Sequence, residues 1–171
     1  MMRKLILAGA LALAVAPASA MAADTPSAEE LAKASCKTQK AELGTKVFKK
    51  AYNAKSVAKA VKACAGVTED TAADELENAA KECKAEREAD AETFAATYGV
   101  NENGKNAYGK CVSSKAKEAV EEETDEVVTA AATCKTMKAD DPATFESTYG
   151  TKKNAFGKCV SAHAEAQDDE S

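Results

Sequence analysis

The apolar positions of this chain recur at helical spacing, and no convincing period-two stretch typical of a β-strand occurs. Strong helix formers dominate residues 74–87, and Leu76, Ala79, Ala80 and Cys83 fall on one face there. Near the start, Ser27 followed three residues later by Glu30 is typical of a capping box. The pattern therefore predicts an all-α fold whose first helix runs from this cap to about Glu42.

Short helices between the longer ones are predicted by aromatic residues four positions apart, which project from one side of a helix. The pairs are Phe48 with Tyr52, Phe94 with Tyr98, and Phe145 with Tyr149. Around the last pair the boundaries are explicit, because Asp141 is a good cap, Pro142 suits the first helical position and Gly150 suits the carboxyl-terminal cap. A two-turn helix is therefore predicted over residues 142–149.

Internal repetition organises these elements. Residues 83–113 and 134–161 share the first cysteine, the aromatic pair with its glycine, and a closing Asn-Ala-(Tyr/Phe)-Gly-Lys-Cys-Val-Ser step. A degraded first copy runs from Cys36 to Cys64 and lacks the aromatic-Gly-Lys step. First cysteines recur after 47 and 51 residues, a period typical of stacked helical units. We therefore predict three units, each a long helix, a short aromatic helix and a further helix.

The predicted segments after residue 22 are three repeat units and a disordered acidic tail: 23–66, 67–117, 118–166 and 167–171. The aromatic side chains expected in the cores of the units are Phe48, Tyr52, Phe94, Tyr98, Tyr108, Phe145, Tyr149 and Phe156. Residues 115–138 contain no glycine or proline, so one long helix is expected to join the second unit to the third. Gly66 is expected to break the helix at the junction before the second unit.

Residues 1–22 are predicted to be a signal peptide. Arg3 and Lys4 precede an apolar run that is shorter than the roughly 20 residues a transmembrane helix needs. Small-residue patterns allow cleavage after Ala20 or after Ala22. No cysteine near either cut could carry a lipid anchor, so we expect a product without a membrane span, either secreted or held in the periplasm or cell envelope.

The predicted core is thin. After residue 23 the chain has 22 Leu, Val, Phe, Tyr and Met residues and no Ile or Trp, and alanine buries little area. Six cysteines in an exported chain are the expected compensation. They allow fifteen connectivities, and the repeat favours pairing within each unit. Cysteine redox chemistry or metal binding would prefer a close C-x-x-C spacing, which this chain lacks. The favoured disulfides are Cys36 with Cys64, Cys83 with Cys111, and Cys134 with Cys159.

Charge is distributed unevenly. Residues 24–66 contain nine lysines and four acidic residues, whereas 67–171 contain 12 basic and 24 acidic residues. The chain as a whole is net negative, at −5, which argues against a nucleic-acid partner. Solvated helix faces explain most charge runs. The alternative is that the basic first unit, including Lys46, Lys49 and Lys50, docks on an anionic envelope polymer.

Other motifs give no catalytic residue, cofactor site or metal site. Residues 104–111 resemble a phosphate-binding loop, but Cys111 replaces the Ser or Thr that would hold magnesium. The only histidine, His163, has no nucleophile at a recognisable spacing. The acidic run 121–126 lacks the spacing of a calcium loop and is expected to be a solvated helix face.

The repeated Phe-x-x-x-Tyr-Gly and Ala-(Phe/Tyr)-Gly-Lys-Cys-Val-Ser steps resemble those of a group of secreted bacterial helical proteins without an assigned activity. The resemblance covers residues 83–113 and 134–161, and in the first unit Asn53 stands where the others have glycine. It implies export and a helical fold, and it brings no activity, substrate or catalytic residue.

These observations predict a secreted, non-catalytic structural or binding module. Its ligand is unknown, and an anionic envelope polymer or another protein is the partner class to test. Two alternatives are a small extracytoplasmic hydrolase or ligand carrier with a site between units, and attachment to the cell envelope through the basic first unit. A deep pocket lined by converging polar groups would favour the hydrolase or carrier.

Overall fold

A computed structural model describes residues 25–99 and 105–168. Six helices and no strand occur in these two ranges, so the all-α prediction is confirmed. The helices are α1 (Ala28–Ala51), α2 (Val57–Ala89), α3 (Ala91–Tyr98), α4 (Ala107–Asp140), α5 (Pro142–Tyr149) and α6 (Ala155–Asp168). The predicted signal peptide and residues 169–171 of the predicted tail lie outside the described residues. Gln167 and Asp168, also assigned to that tail, lie in α6.

Helix α1 begins at the predicted capping box and is interrupted once. The Ser27 side chain accepts from the Glu30 N–H, and the Glu30 carboxylate accepts from the Ser27 N–H at 2.9 Å. Gly44 has φ 68° and ψ 156°, a left-handed φ that glycine adopts without steric cost. Gly44 therefore separates a long segment from a short one that carries Phe48, close to the predicted end of the first helix.

Both junctions between units are continuous helices. The predicted long helix over residues 115–138 is confirmed, because it lies within α4. The predicted break at Gly66 is wrong, because α2 runs unbroken from Val57 to Ala89. Gly66 is exposed and helical, and an interior glycine costs a helix only about 1 kcal/mol relative to alanine. The packing of Cys64 and Ala72, both fully buried, is enough to carry the helix across it.

Three disulfides close the fold with the predicted pairing. Cys36–Cys64, Cys83–Cys111 and Cys134–Cys159 have Cα–Cα distances of 5.9, 6.0 and 6.0 Å, and all six cysteines are buried. Each disulfide is packed beside the phenylalanine of a short helical segment: Phe48, Phe94 or Phe145. The expectation that each unit is stapled within itself is therefore confirmed.

The aromatic pairs lie together as their spacing predicted. Ring centroids are 5.0 Å apart for Phe48 and Tyr52, 5.0 Å for Phe94 and Tyr98, and 5.1 Å for Phe145 and Tyr149. The phenylalanines are buried, and the tyrosines are half-buried with hydroxyls that find polar partners. Phe156 is also buried, and the half-buried Tyr108 donates to the Ala80 carbonyl at 2.9 Å. Each ring contributes apolar area, while the phenols form hydrogen bonds: those of Tyr98, Tyr108 and Tyr149 with neighbouring helices and that of Tyr52 with Gln39 of α1.

Asn53 occupies the position that glycine holds in the other two units, after the short aromatic helix. Its φ is 46°, and asparagine is one of the few residues that tolerate this left-handed conformation. Gly150 at the equivalent position has φ 93°. The first and third units thus share a positive φ after the short aromatic helix, whereas Gly99 in the second unit has φ −79°.

The four longer helices pack into one bundle. Helix α1 contacts α2, α4 and α6, and α4 contacts α1, α2 and α6. At the start of α6, a Cβ on Gly157 would lie 2.7 Å from the Ala51 carbonyl oxygen, so glycine permits this close approach of α6 to the end of α1. The third unit therefore folds back onto the first.

Two glycine-to-alanine substitutions are expected to have opposite effects. Gly66→Ala should raise the free energy of unfolding by about 1 kcal/mol, because the helix gains propensity and the added methyl meets open space. Gly157→Ala should lower it by about 1–3 kcal/mol, because the methyl must displace the Ala51 carbonyl. Urea unfolding of both variants measures the difference, and equal shifts for the two variants would contradict the close α1–α6 contact.

Two capping carboxylates, those of Asp90 and Asp141, are expected to make the stability of the fold sensitive to acid. The Asp141 carboxylate accepts from the Thr144 N–H at 2.9 Å and from its hydroxyl at 2.7 Å, and these bonds lower its pKa. Bonds to Thr93 lower the pKa of Asp90 in the same way. A carboxyl whose pKa is depressed by folding stabilises the fold above its unfolded pKa of about 3.9, and this contribution is lost as pH falls through the folded pKa. The Asp90→Asn/Asp141→Asn variant should therefore lose less melting temperature than the parent between about pH 5 and about pH 2.

Asp140→Asn is the matched control, since Asp140 is the last residue of α4 and precedes the cap. Its acid sensitivity should match the parent's. Equal acid sensitivity in the cap variant and the parent would show that the capping carboxylates do not contribute.

Candidate functional site

Seven lysines line a cleft between the first and third units. They are Lys46, Lys49, Lys50, Lys55, Lys138, Lys152 and Lys153. The cleft has a volume of about 660 Å³, and Asn53, Ala54, Thr151 and Phe156 complete its lining. We call this site the basic cleft. Among the described residues that line it, none is acidic.

Local structure explains why these lysines face one another. Burial of Phe48 in the core turns Lys46, Lys49 and Lys50 toward the outside of the short segment after Gly44. The contact of Gly157 with Ala51 then places the turn before α6, which contains Lys152 and Lys153, next to this segment. The cleft is thus a product of the packing between distant parts of the chain.

The basic cleft is suited to bind anions, but its flexible lysine side chains do not fix the shape of the anion. A lysine ammonium is a compact point charge on a flexible stem, so a set of them attracts negative charge without imposing the planar fork of arginine. Lys138 also lies over the Phe145 ring, with its Nζ 5.1 Å from the ring centroid. Such a surface favours an extended ligand with many negative charges over a small ligand with one fixed shape.

A second site is a cavity of about 340 Å³ between α1, α2, α4 and α6. It lies farther along the seam between α1 and α6, beyond the Gly157 contact. We call this site the internal cavity. Its lining is Ser35, Gln39, Tyr52, Val67, Thr68, Thr71, Glu123, Thr124, Glu126, Val127, Val160, Ser161, Ala164 and Glu165.

A chain of buried hydrogen bonds forms one wall of the internal cavity. The Thr124 hydroxyl donates to the Val120 carbonyl at 2.7 Å, so its single proton is used there. Ser35 Oγ, 2.6 Å from Thr124 Oγ1, must then donate to it, and Ser35 accepts from Gln39 Nε2 at 3.1 Å. Tyr52 donates to Gln39 Oε1. The donors of this wall are therefore largely committed to one another.

Burial of Tyr52 accompanies this network. Loss of water raises the pKa of the Tyr52 phenol to about 12, and the bond to Gln39 opposes that rise. The phenol therefore stays neutral throughout the physiological range and acts as a hydrogen-bond donor. It is poorly suited to act as a general base.

His163 and the cysteines, which the sequence did not favour as catalytic or metal-binding residues, make contacts within the folded bundle. His163 Nε2 lies 3.2 Å from the Tyr149 hydroxyl, and His163 also lies near Cys134 and Cys159. Because those two sulfurs are bonded to each other, they are not thiolate ligands. Cys111 of the loop-like segment is likewise in a disulfide, and Gly104 lies outside the described residues.

The acidic run of α4 is only partly a solvated face. Thr124 is buried in the bundle, and Glu123 and Glu126 line the internal cavity. The remaining members, including Glu121 and Glu122, are exposed as expected. Sequence reasoning missed this inward side because it depends on how α4 packs against α1.

The sequence hypothesis of a basic docking surface over residues 24–66 included four of the seven cleft lysines: Lys46, Lys49 and Lys50, which it named, and Lys55, which lies within that range. It missed Lys138, Lys152 and Lys153, because nothing in their local pattern shows that the third unit folds back onto the first. Within the two described ranges, no helix has both the length and the apolar character needed to cross a membrane.

Comparisons of the chain with protein-family models, with curated proteins and with solved structures found no match. The basic cleft and the internal cavity are therefore the features of the molecule that indicate its function.

Proposed function

We propose that this protein is a secreted, non-catalytic binding module that attaches to an anionic polymer of the cell envelope through the basic cleft. The observation that carries the proposal is the convergence of seven lysines from two units on one cleft, with no acidic side chain among the described residues of its lining. Like-charged side chains repel one another, so their clustering favours a ligand that neutralises them.

The charge of the remaining chain supports a defined orientation on such a polymer. Residues 67–171 carry 24 acidic and 12 basic residues, so most of the molecule is repelled by a polyanion. The basic cleft is then the face that approaches the polymer. The three disulfides support a compartment outside the cytoplasm, where such polymers occur.

A ligand carrier is the second candidate function, and the internal cavity favours it. The cavity volume of about 340 Å³ lies at the lower end of the range for small-molecule sites. Its lining combines hydroxyl, amide and carboxylate groups with valine and alanine side chains, as ligand pockets do. A hydrolase has less support, because the candidate general base His163 is hydrogen-bonded to Tyr149 and does not line this cavity.

Neutralising part of the basic cleft should weaken binding to polyanions. The Lys49→Gln/Lys50→Gln/Lys153→Gln variant should bind about tenfold more weakly at low ionic strength, given roughly 0.5 kcal/mol for each exposed charge contact. Binding of the parent should also weaken steeply with added salt. Co-sedimentation with immobilised poly(glycerol phosphate) and polygalacturonate separates a phosphodiester ligand from a carboxylate ligand, and neutral dextran controls for charge.

The matched control is Lys37→Gln/Lys59→Gln/Lys62→Gln, which removes the same charge from exposed positions of the first unit outside the cleft. It should retain most of the parent's affinity. Equal loss in both variants would show a diffuse charge effect, and no binding to either charged polymer at low salt would contradict the proposal.

A further inference from the structure

The disulfide of the third unit has a histidine beside it. Cys159 and His163 are four residues apart in α6, so both side chains project from the same face of that helix. Cys134 of α4 is the disulfide partner of Cys159. The ligand atoms of these three residues all lie within 4.8 Å of one another, with both cysteines buried and His163 half-buried. Sulfur and imidazole nitrogen are the ligands that Zn²⁺ prefers in proteins.

Comparison of the three units shows that this histidine is a feature of the third unit. The residue four positions after the second cysteine is Thr68 in the first unit and Lys115 in the second. The Thr68 hydroxyl lies 3.8 Å from Cys64 Sγ and 3.9 Å from Cys36 Sγ, so this position of the repeat faces the disulfide. Lys115 pairs instead with two glutamates of α2. At this position, therefore, the third unit alone has a side chain typical of zinc sites.

The distances in this group fit a zinc ion once the bond between the sulfurs is opened. In a tetrahedral site with Zn–S about 2.3 Å and Zn–N about 2.1 Å, the sulfurs lie about 3.8 Å apart and each lies about 3.6 Å from the nitrogen. The histidine ligand atom is already within 4.8 Å of both sulfurs. The Cα atoms of Cys134 and Cys159 are 6.0 Å apart. Rotation about χ1 is enough to separate the sulfurs, because the Cβ atoms of a disulfide are themselves about 3.8 Å apart.

The surroundings of the group are those of a protected metal site. Metal-binding histidines are normally oriented by a hydrogen bond to the ring, and the Tyr149 hydroxyl lies 3.2 Å from His163 Nε2. Phe145, Phe156 and Val160 belong to the same buried cluster as the two cysteines. An apolar shell of this kind limits the access of water to a metal and its ligands. The third unit therefore supplies both the ligands and the shell.

We propose that the Cys134–Cys159 disulfide is exchanged for a Zn²⁺ site made of Cys134, Cys159 and His163 when a dithiol reduces it. The dithiol supplies two electrons and two protons: its own thiols join in a disulfide as the protein disulfide becomes two thiols. Zn²⁺ then displaces both thiol protons, and a water molecule takes the fourth position. The metal joins α4 to α6 as the disulfide did. This inference does not depend on the basic cleft or the internal cavity.

Redox titration of the full chain tests the exchange, with the other two disulfides as internal controls. The protein is equilibrated in mixtures of reduced and oxidised dithiothreitol, at several free Zn²⁺ concentrations held by a zinc buffer. Thiols are trapped by alkylation in denaturant with a chelator, and peptide mass spectrometry reports each disulfide separately. Above the Kd, each tenfold rise in free Zn²⁺ should shift the reduction equilibrium of Cys134–Cys159 tenfold towards thiols, or about 30 mV. Cys36–Cys64 and Cys83–Cys111 should respond much less.

Variants on α6 test the ligand set. His163→Gln should need at least about tenfold more free Zn²⁺ for the same shift, because it removes one ligand and keeps a polar partner for Tyr149. Glu165→Gln, an exposed change on the same helix, is the control and should respond as the parent does. Equal melting temperatures of the disulfide-intact variants check that both fold. In the reduced parent, Co²⁺ should give the visible absorption of a tetrahedral thiolate site, and the disulfide-intact protein should give none.

Three results would overturn the zinc site: no effect of Zn²⁺ on the Cys134–Cys159 equilibrium, an equal shift of all three disulfides, or the same shift in His163→Gln as in the parent. None of them bears on binding of the intact protein to polyanions, so the proposed function would stand.

Discussion

Covalent closure of each unit is the constraint on which this structure depends. The buried side chains are mainly alanine, cysteine and a few phenylalanines and valines, which remove little apolar area from water for each residue they order. Disulfides that span 28, 28 and 25 residues restrict the unfolded chain by about 3.5 kcal/mol each in the chain-entropy model. Together they are comparable to the 5–15 kcal/mol that usually separates folded from unfolded domains.

A stapled scaffold of this kind can hold features that a thin core would not support alone. The buried polar chain from Tyr52 to Thr124 lies between α1 and α4, where its members are hydrogen-bonded to one another in place of an apolar contact. Beside it the fold leaves a cavity, and next to that cavity it gathers seven like charges. Both sites therefore follow from the way α1 meets α4 and α6.

Local features of this fold could be predicted from the sequence, whereas the packing of the third unit against the first could not. The aromatic pairs, the capping residues and the pairing of cysteines follow from spacing within one unit. The error at Gly66 arose because a glycine signal of about 1 kcal/mol was given more weight than the packing on either side of it. The contact of Gly157 with Ala51 joins residues about a hundred positions apart, and no periodicity of the chain specifies it. Lys152 and Lys153 in the basic cleft precede α6 directly and Glu165 in the internal cavity lies within it, so this contact brings them to the first unit.

The most direct test of this account is thermal unfolding of the protein after complete reduction and alkylation of its six cysteines, followed by circular dichroism. Protein treated with the alkylating reagent without reductant is the control. We expect the reduced and blocked protein to lose its cooperative transition and much of its helical signal at room temperature. An unchanged melting temperature and helical spectrum would contradict the claim that disulfides hold this thin helical core together.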